Sequence, residues 1–530
     1  MFYQVYPKSF ADADGDGIGD IKGLISKLDH IADLGADALW LCPIFASPMI
    51  DQGYDMADYT AVNQAFGTLD DVDGLIEEAR RRDVKIVLDI ALNHSSTAHP
   101  WFQEALADPY GPYGDYYIWR KPKADGSAPN NWPSVFGGPA WTQPDGHERA
   151  YLHLFDKSQA DLNWENLKVR QEIYAAIRFW LKRGIAGFRL DVVTMVSKHP
   201  ALPDLPTGGL MDRYKIWAQG PRLHAYLREM RKEAFDPYGA IAIGEAPGLT
   251  AETAAAVVDP ADPMLHMVYH FDLVEPQRDA AGDWDRAAFK QVFSDWDQGV
   301  GREGWNSVVV SNHDLSRVVN RFGDPSLRRE SATMLLALVL MQRATPFLYQ
   351  GDELGLVNTP FTDIAELDDV WAKTTYRLAL ERGHDSAVAF AKAAAMTRDH
   401  ARTPFPWTDG SSHGFSAGRP WLRTNPLNAA LNAAAQAADP DSVLAFAKRL
   451  IALRRGDRLW TEGAFEDLCP DHPDVFVFAR MLASRRGVVA LNLRGAETHV
   501  RLAPGRPVLA NYPYAGGELL RPWEARIYAP

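Results

Sequence analysis

The chain has 530 residues, 46% of them hydrophobic and 23% charged. That is too long for one ordinary domain, and the composition is globular, which excludes disordered, collagen-like and coiled-coil chains. With 55 Lys and Arg against 69 Asp and Glu the net charge is −14, which argues against nucleic acid or an anionic membrane surface as partner and leaves a neutral ligand open.

The predicted elements alternate between short apolar runs and amphipathic helices. Phe2–Tyr6 is an aromatic and β-branched run ending at Pro7. Next comes Asp12-Ala13-Asp14-Gly15-Asp16-Gly17-Ile18-Gly19-Asp20, with acids at positions 1, 3, 5 and 9 and Gly at 6. This is the first part of an EF-hand-type loop, in which the Ile18 carbonyl takes position 7. The usual Glu at position 12 is replaced by Gly23. Asp12, Asp14, Asp16, Ile18 and Asp20 are therefore expected to hold a structural Ca²⁺ or Mg²⁺, away from any catalytic step.

Asp20–Gly35 carries Leu24, Ile25, Leu28, Ile31 and Leu34 at helical spacing, and Gly35 supplies a C-terminal stop. Ala38–Ile44 is the second strand, Leu69–Asp83 a second helix and Lys85–Leu92 a third strand. Near-continuous apolar runs of this kind suit a parallel sheet covered on both faces. From Ser95 to about Gln159 the chain is rich in Pro, Gly, Trp and Tyr, with no clear helix. The alternation resumes with the helix Leu167–Arg183 and the strands Gly187–Val193, Ile241–Glu245, Val268–Asp272, Ser307–Ser311 and Pro346–Tyr349. Eight strands in βαβ order predict an α/β fold, a (β/α)₈ TIM barrel with an irregular excursion after strand 3.

Leu356–Pro440 reads as a long insertion, and the helix Ser442–Arg455 closes the barrel. Asp474–Ala479, Gly487–Asn492 and Thr498–Leu502 then alternate as short strands of a C-terminal antiparallel β-domain. The expected division is a barrel from residues 1–94 and 160–456, an excursion domain at 95–159 and a β-sandwich at 457–530. Cys42 and Cys469, the two cysteines, give neither a disulfide framework nor a cysteine zinc site, and they fit a reducing compartment. The start has no basic n-region or signal-type core, and the longest apolar run, Ala332–Met341, is shorter than the roughly 20 residues a bilayer requires. A cytoplasmic protein with no membrane partner, monomeric or homodimeric, is expected.

In such a barrel the working residues lie at the C-terminal ends of strands. The third strand ends with Asp89 and then Asn93-His94, the fourth with Arg189 and Asp191, the fifth with Glu245 and the seventh with Asn312-His313-Asp314. Carboxylates converging on one mouth point to glycosidic chemistry. A retaining glycosidase needs an ionised nucleophile and a protonated acid whose environments separate their pKa values. Arg189 and Asp191, two apart on a strand, share a face, so the guanidinium is expected to keep Asp191 ionised as nucleophile. Glu245 follows an apolar run with no adjacent basic residue in sequence, which suits the general acid/base. Asp314 is left to stabilise the oxocarbenium-like transition state. No catalytic cofactor is implied.

These strand ends resemble the characteristic regions of the α-amylase superfamily, glycoside hydrolase family 13. Asp89–His94 (DIALNH) is similar to its first region, Gly187–Lys198 (GFRLDVVTMVSK) to its second, the AIGEAPG segment around Glu245 to its third and Val308–Asp314 (VVVSNHD) to its fourth. Order and spacing agree. Gly53–Tyr59, Phe136–Trp141, Tyr151–Asn166, Phe347–Gly355, Thr397–Trp407 and Leu520–Tyr528 resemble the oligo-1,6-glucosidase and α-glucosidase branch. The resemblance gives Asp191, Glu245 and Asp314 the same three roles, and has His94, Arg189 and His313 hold the sugar at the point of cleavage. It has Asp51, Tyr54 and Arg398 grip the non-reducing end, with an Asp51–Arg398 ion pair blocking the cleft beyond the first sugar. Phe136, Phe155 and Gln159 would line the cleft from the excursion.

The residue after the nucleophile is Val192, which in this branch accompanies α-1,6 rather than α-1,4 cleavage. An exo-acting α-glucosidase on short isomaltose-type oligosaccharides is thus expected. The alternatives are an α-1,4-preferring glucosidase, or a transglucosylase or sucrose isomerase. Against the isomerase, Asn320-Arg321-Phe322-Gly323-Asp324 is similar to the hydrolase form of that loop. A non-catalytic barrel scaffold does not suit a chain that keeps all three acids.

Overall fold

Short runs of β-branched and aromatic residues, each followed by a helix, build the sheet. In the computed structural model they form eight parallel strands: β1 (Phe2–Val5), β2 (Ala38–Leu41), β3 (Lys85–Ala91), β4 (Gly187–Asp191), β5 (Ile241–Glu245), β6 (Met267–Tyr269), β7 (Ser307–Val308) and β8 (Thr345–Tyr349). The structure describes the chain except for residues 207–209, 275–277, 279–282, 302–303 and 502–504 and the side chains of 210–212 and 215.

The strands run in the order β6-β5-β4-β3-β2-β1-β8-β7. Between β7 and β6, Ser307 Oγ donates to the Val268 carbonyl and draws the two edges together, so that the barrel is nearly closed. Its interior is plugged by Phe2, Trp40, Val87, Ile243, Met267 and Phe347. Phe2 and Phe347 stack with ring centroids 4.7 Å apart. With the interior filled, chemistry is confined to the strand ends.

The helices follow the apolar spacing, with one change. The segment predicted as a single helix over 20–35 divides at Lys27 into α1 (Ile21–Ser26) and α2 (Leu28–Leu34). Asp20 caps α1 by accepting from the Gly23 N–H, and Gly35 ends α2 at φ 92°. The helix α3 (Leu69–Arg81) starts on a Thr68/Asp71 capping box.

Residues 95–159 contain a helix that the composition did not suggest, α4 (Pro100–Ala107). Pro100 occupies its first turn, where no N–H is needed, and the His99 side chain accepts from Trp101 N–H. A three-stranded sheet of Trp119–Arg120, Ala150–Leu152 and Trp141–Thr142 completes this excursion. It is tied off by a ribbon in which Asp161 pairs with His94 and Gln159 with Ser96. The chain then enters α5 (Leu167–Arg183).

The insertion after β8 holds a hairpin, α6 (Val370–Glu381) and α7 (Ser386–Met396), followed later by α8 (Val443–Gly456), which Ser442 caps. Beyond α8 lies an antiparallel sheet in the order Ala464–Asp467, Val475–Leu482, Arg485–Asn492, Ala525–Tyr528, Leu509–Ala510. Thr498–His499 does not join this sheet but pairs with Leu519–Leu520, and the predicted end of that strand, at residue 502, lies outside the described residues. The sheet is fastened to the barrel by buried cations: Lys290 donates to the Cys469 and Val475 carbonyls, and Arg480 to that of Met341. Cys42 and Cys469 are both free thiols. No helix among the described residues is long and apolar enough to cross a membrane.

Candidate active site

The ends of β3, β4 and β5 put three carboxylates around one guanidinium. Parallel register sets Arg189 beside Asp89 on one side and Ile243 on the other, two residues short of Glu245. Arg189 Nη1 donates to Asp89 Oδ1 at 2.9 Å and to Asp191 Oδ1 at 2.6 Å, and Nη2 forms an ion pair with Glu245 Oε1. Arg189 is fully buried, with Trp40 and Tyr269 facing its guanidinium at 5.1 and 5.8 Å. Trp40 Nε1 and Tyr54 Oη also donate to Asp89 Oδ2, at 3.0 and 2.7 Å. Asp89 is thereby committed to holding Arg189.

This arrangement corrects one inference from sequence. Arg189 was expected to serve Asp191 alone, with Glu245 free of basic neighbours; it touches both. Burial lifts the Asp191 carboxyl well above the carboxylate range, Arg189 pulls it down, and the charges of Glu245 and Asp89 add to the rise. Burial also raises Glu245, opposed by Arg189 and by the Val192 N–H, which donates to Glu245 Oε2 at 2.9 Å. Three acids share one cation in a buried site, so the Asp191–Glu245 pair titrates as a unit and holds a proton where free carboxylates would not.

Val192 makes that hydrogen bond from a strained backbone, φ 37° and ψ 43°, a region β-branched residues rarely occupy. The turn swings its N–H toward Glu245 and its side chain into the cleft wall.

Asp314 is held in the opposite sense. Burial would raise it, but His313, Arg398 and Arg402 outweigh that and keep it well below the usual range. The ion pairs measure 3.2 Å to His313 Nε2, 3.3 Å to Arg398 Nη1 and 2.8 Å to Arg402 Nη2. Asp314 in turn lifts His313 to about 10, against the effect of burial. For His94 burial outweighs the opposing charge of Asp161 and drops it to about 4, so it is neutral.

These groups open onto one cleft. Asp51, Tyr54, His94, Phe136, Phe155, Gln159, Val192 and Arg398 all line it, together with Asp191, Glu245 and Asp314. Arg189 and His313 do not: both are fully buried behind the wall. Both contact the acids directly. At one end Arg398 Nη2 meets Asp51 Oδ1 at 2.8 Å, and Gln159 Nε2 donates to Asp51 Oδ2 at 3.0 Å. Tyr54 stacks on His313 with ring planes 4° apart.

Three neighbours of this end escaped the sequence reading. Asp369 takes both the Nε and Nη2 of Arg398, at 2.9 and 2.6 Å. The same carboxylate caps α6, accepting from Trp371 N–H, and the Trp371 ring faces Phe136 across the cleft lip at 5.8 Å. Arg402 completes the cage of Asp314. All three lie on the insertion after β8, where no strand end marks them. The nearest signal was the Arg398–Arg402 spacing in TRDHAR.

In the early acidic loop, carboxylate oxygens of Asp12, Asp14 and Asp20 lie within 4.8 Å of one another. Asp16 is not in that group; its Oδ1 accepts from Ile18 N–H at 2.7 Å. Burial acts to raise Asp12, but the Ser416 hydroxyl and the Gly15 and Gly17 N–H groups outweigh it and hold Asp12 below its ordinary range. Gly17 sits at φ 94° with the Arg419 carbonyl where a Cβ would stand, so only glycine fits there.

The barrel and the caged carboxylates define a glycoside hydrolase. Residues 4–463 match the α-amylase catalytic-domain model, and the chain belongs to that family. It is 39% identical to an oligo-1,6-glucosidase of Parageobacillus thermoglucosidasius, covering 100% of this chain and 98% of the relative. It is equally 39% identical to a trehalose-6-phosphate hydrolase of Bacillus subtilis (strain 168), over 94% of this chain and 89% of the relative. Among solved structures, the trehalulose synthase of Pseudomonas mesoacidophila MX-45 superposes with a TM-score of 0.95 at 39% identity, covering 100% of this chain and 98% of that one.

Proposed function

We propose that the protein is a retaining, exo-acting α-glucosidase that removes terminal glucose from short oligosaccharides, with α-1,6 linkages favoured. The observation that carries this is the buried Asp51–Arg398 pair among the residues lining the cleft, which we read as the barrier beyond the first sugar. A chain end fits such a site and a chain interior does not. The likeness to oligo-1,6-glucosidases and Val192 in the wall support the linkage.

Asp191 attacks the anomeric carbon while Glu245 protonates the departing glycosidic oxygen. Water then attacks the glucosyl–Asp191 ester, and Glu245 takes its proton. A single guanidinium spans the two acids. That breadth suits the separation of about 5–5.5 Å of a retaining pair better than the roughly 6.5–9.5 Å of an inverting one. Asp314, kept anionic by three cations, faces the positive charge that grows on the sugar.

Hydrolysis is favoured over sucrose isomerisation by the position of Arg321. Its guanidinium is turned into the barrel wall, onto the Val310 and Val274 carbonyls, and does not line the cleft.

The acidic loop supports a structural Ca²⁺ or Mg²⁺. Asp12, Asp14 and Asp20 are hard oxygen donors, as both ions require. A bound ion would offset their mutual repulsion and pin the loop against the segment at Ser416.

The test is glucose release from isomaltose, maltose, sucrose and trehalose, with Asp191→Asn beside the parent chain. Isomaltose is expected to be turned over with the highest kcat/KM, and Asp191→Asn to lose roughly 10⁴-fold or more in kcat while remaining folded. Unchanged turnover would remove Asp191 from its role.

A further inference from the structure

Beside the Asp51–Arg398–Asp369 bridge runs a second link between the same two segments, one residue away on each side. Gln52 Nε2 donates to Asp368 Oδ2 at 2.9 Å. Both ends of this link meet Lys8, in the turn that follows β1. Its Nζ donates to Gln52 Oε1 at 2.7 Å, and lies 3.8 Å from Asp368 Oδ2 and 3.7 Å above the Trp421 ring. Lys8 is buried, and it does not line the cleft.

Gln52 needs such holding. Its backbone stands at φ 53°, in the left-handed region that a residue with a side chain occupies only under constraint. Lys8 is the nearer of the two donors to its side-chain oxygen; Tyr6 Oη stands at 3.5 Å. Gln52 follows Asp51 directly, so a change in its backbone moves the carboxylate that Arg398 and Gln159 hold.

The hold depends on charge. An ammonium is drawn to Asp368 and to the face of Trp421, and an uncharged amine far less. The charged groups that act on Lys8 are Asp368 and Lys373 at the start of α6, with Asp399 and Arg402 from the segment after α7. Burial, the largest influence, lowers Lys8 to about 8; Asp368 and Asp399 oppose that fall, and Arg402 and Lys373 add to it. Lys8 is therefore mostly charged at neutral pH and loses its proton as pH rises through about 8.

We infer that Lys8 is a positioning residue: as a cation it holds Gln52, and through it Asp51, in the arrangement that grips the terminal glucose, and the grip loosens when the charge is lost. This rests on the reading above in which Asp51 and Arg398 bind that glucose. Lys8 takes no part in the displacements themselves.

The experiment follows kcat and KM for isomaltose against pH in the full chain, in Lys8→Met and in Lys8→Arg. Lys8→Met should raise KM roughly tenfold at neutral pH, with a smaller loss in kcat. Lys8→Arg keeps a charge that does not titrate in this range, so its KM should stay within about twofold of the parent's. In the parent, KM should rise as pH passes about 8. That rise should vanish in Lys8→Arg, and in Lys8→Met KM should already be high and flat. KM does not depend on how much of the enzyme is folded, so a merely structural role would lower kcat alone. Three results would each overturn the inference: a parent-like KM in Lys8→Met, a KM in Lys8→Arg as high as that of Lys8→Met, or the parent's alkaline rise persisting in Lys8→Arg. Failure of the reading beneath it looks different: Asp51→Ala would then leave both KM and kcat for isomaltose unchanged.

Discussion

Arg398 Nη2 reaches Asp51 at 2.8 Å and Asp369 at 2.6 Å while its Nη1 reaches Asp314 at 3.3 Å, so one buried arginine joins three acids at the cleft. Asp51 lies on the loop after β2 and Arg398 follows α7, so the contact joins segments 347 residues apart.

Breaking this bridge should open the cleft. Removing one partner of a buried pair costs about 3–5 kcal/mol because the other charge is left without its counter-ion. Arg398→Ala and Asp51→Ala are each expected to lower kcat/KM on isomaltose by a hundredfold or more. Chromatography of products from longer isomalto-oligosaccharides should then show fragments larger than glucose. Release of glucose alone, at the parent rate, would mean that the pair does not close the site.

Arg189 lowers the pKa of both reacting acids against the stronger effect of burial. Removing its charge must raise both further. Arg189→Gln should therefore move the acid limb of the kcat/KM profile to higher pH, in addition to a large loss in rate. The limb in the parent enzyme should itself lie above the ordinary carboxylate range of about 4. A limb that stays in place or moves down would remove Arg189 as the shared counter-charge.

A cation in the Asp12–Asp20 loop should show itself in stability. Chelation is expected to lower the thermal midpoint by several degrees, Ca²⁺ or Mg²⁺ to restore it, and Asp12→Asn to abolish the restoration. Asp16→Asn should have the smaller effect, because Asp16 stands outside the converging group. No change on chelation or addition of either ion would leave the loop a hydrogen-bonded turn.

The barrel was legible because its strands are short apolar runs with polar ends, a pattern local in sequence. The acids at those ends, Asp191, Glu245 and Asp314, could be picked out for the same reason. The partner of Glu245 could not, because Arg189 meets it across the β4–β5 register and chain proximity says nothing of that. Asp369, Trp371 and Arg402 were illegible for a related reason: the insertion that carries them has no strand ends to anchor it. The helix α4 was missed although Pro100 and the N-capping His99 mark its start, because Gly, Trp and Tyr further along obscured the signal. Asp16 was assigned by motif spacing, but it lies outside the group that Asp12, Asp14 and Asp20 form.

Proton NMR of the first glucose released from an α-linked substrate tests the central claim most directly. Two acids gripped by one guanidinium imply two displacements at the anomeric carbon, and so α-glucose must appear first and mutarotate to β. Initial β-glucose would require a single inverting displacement and would contradict the account.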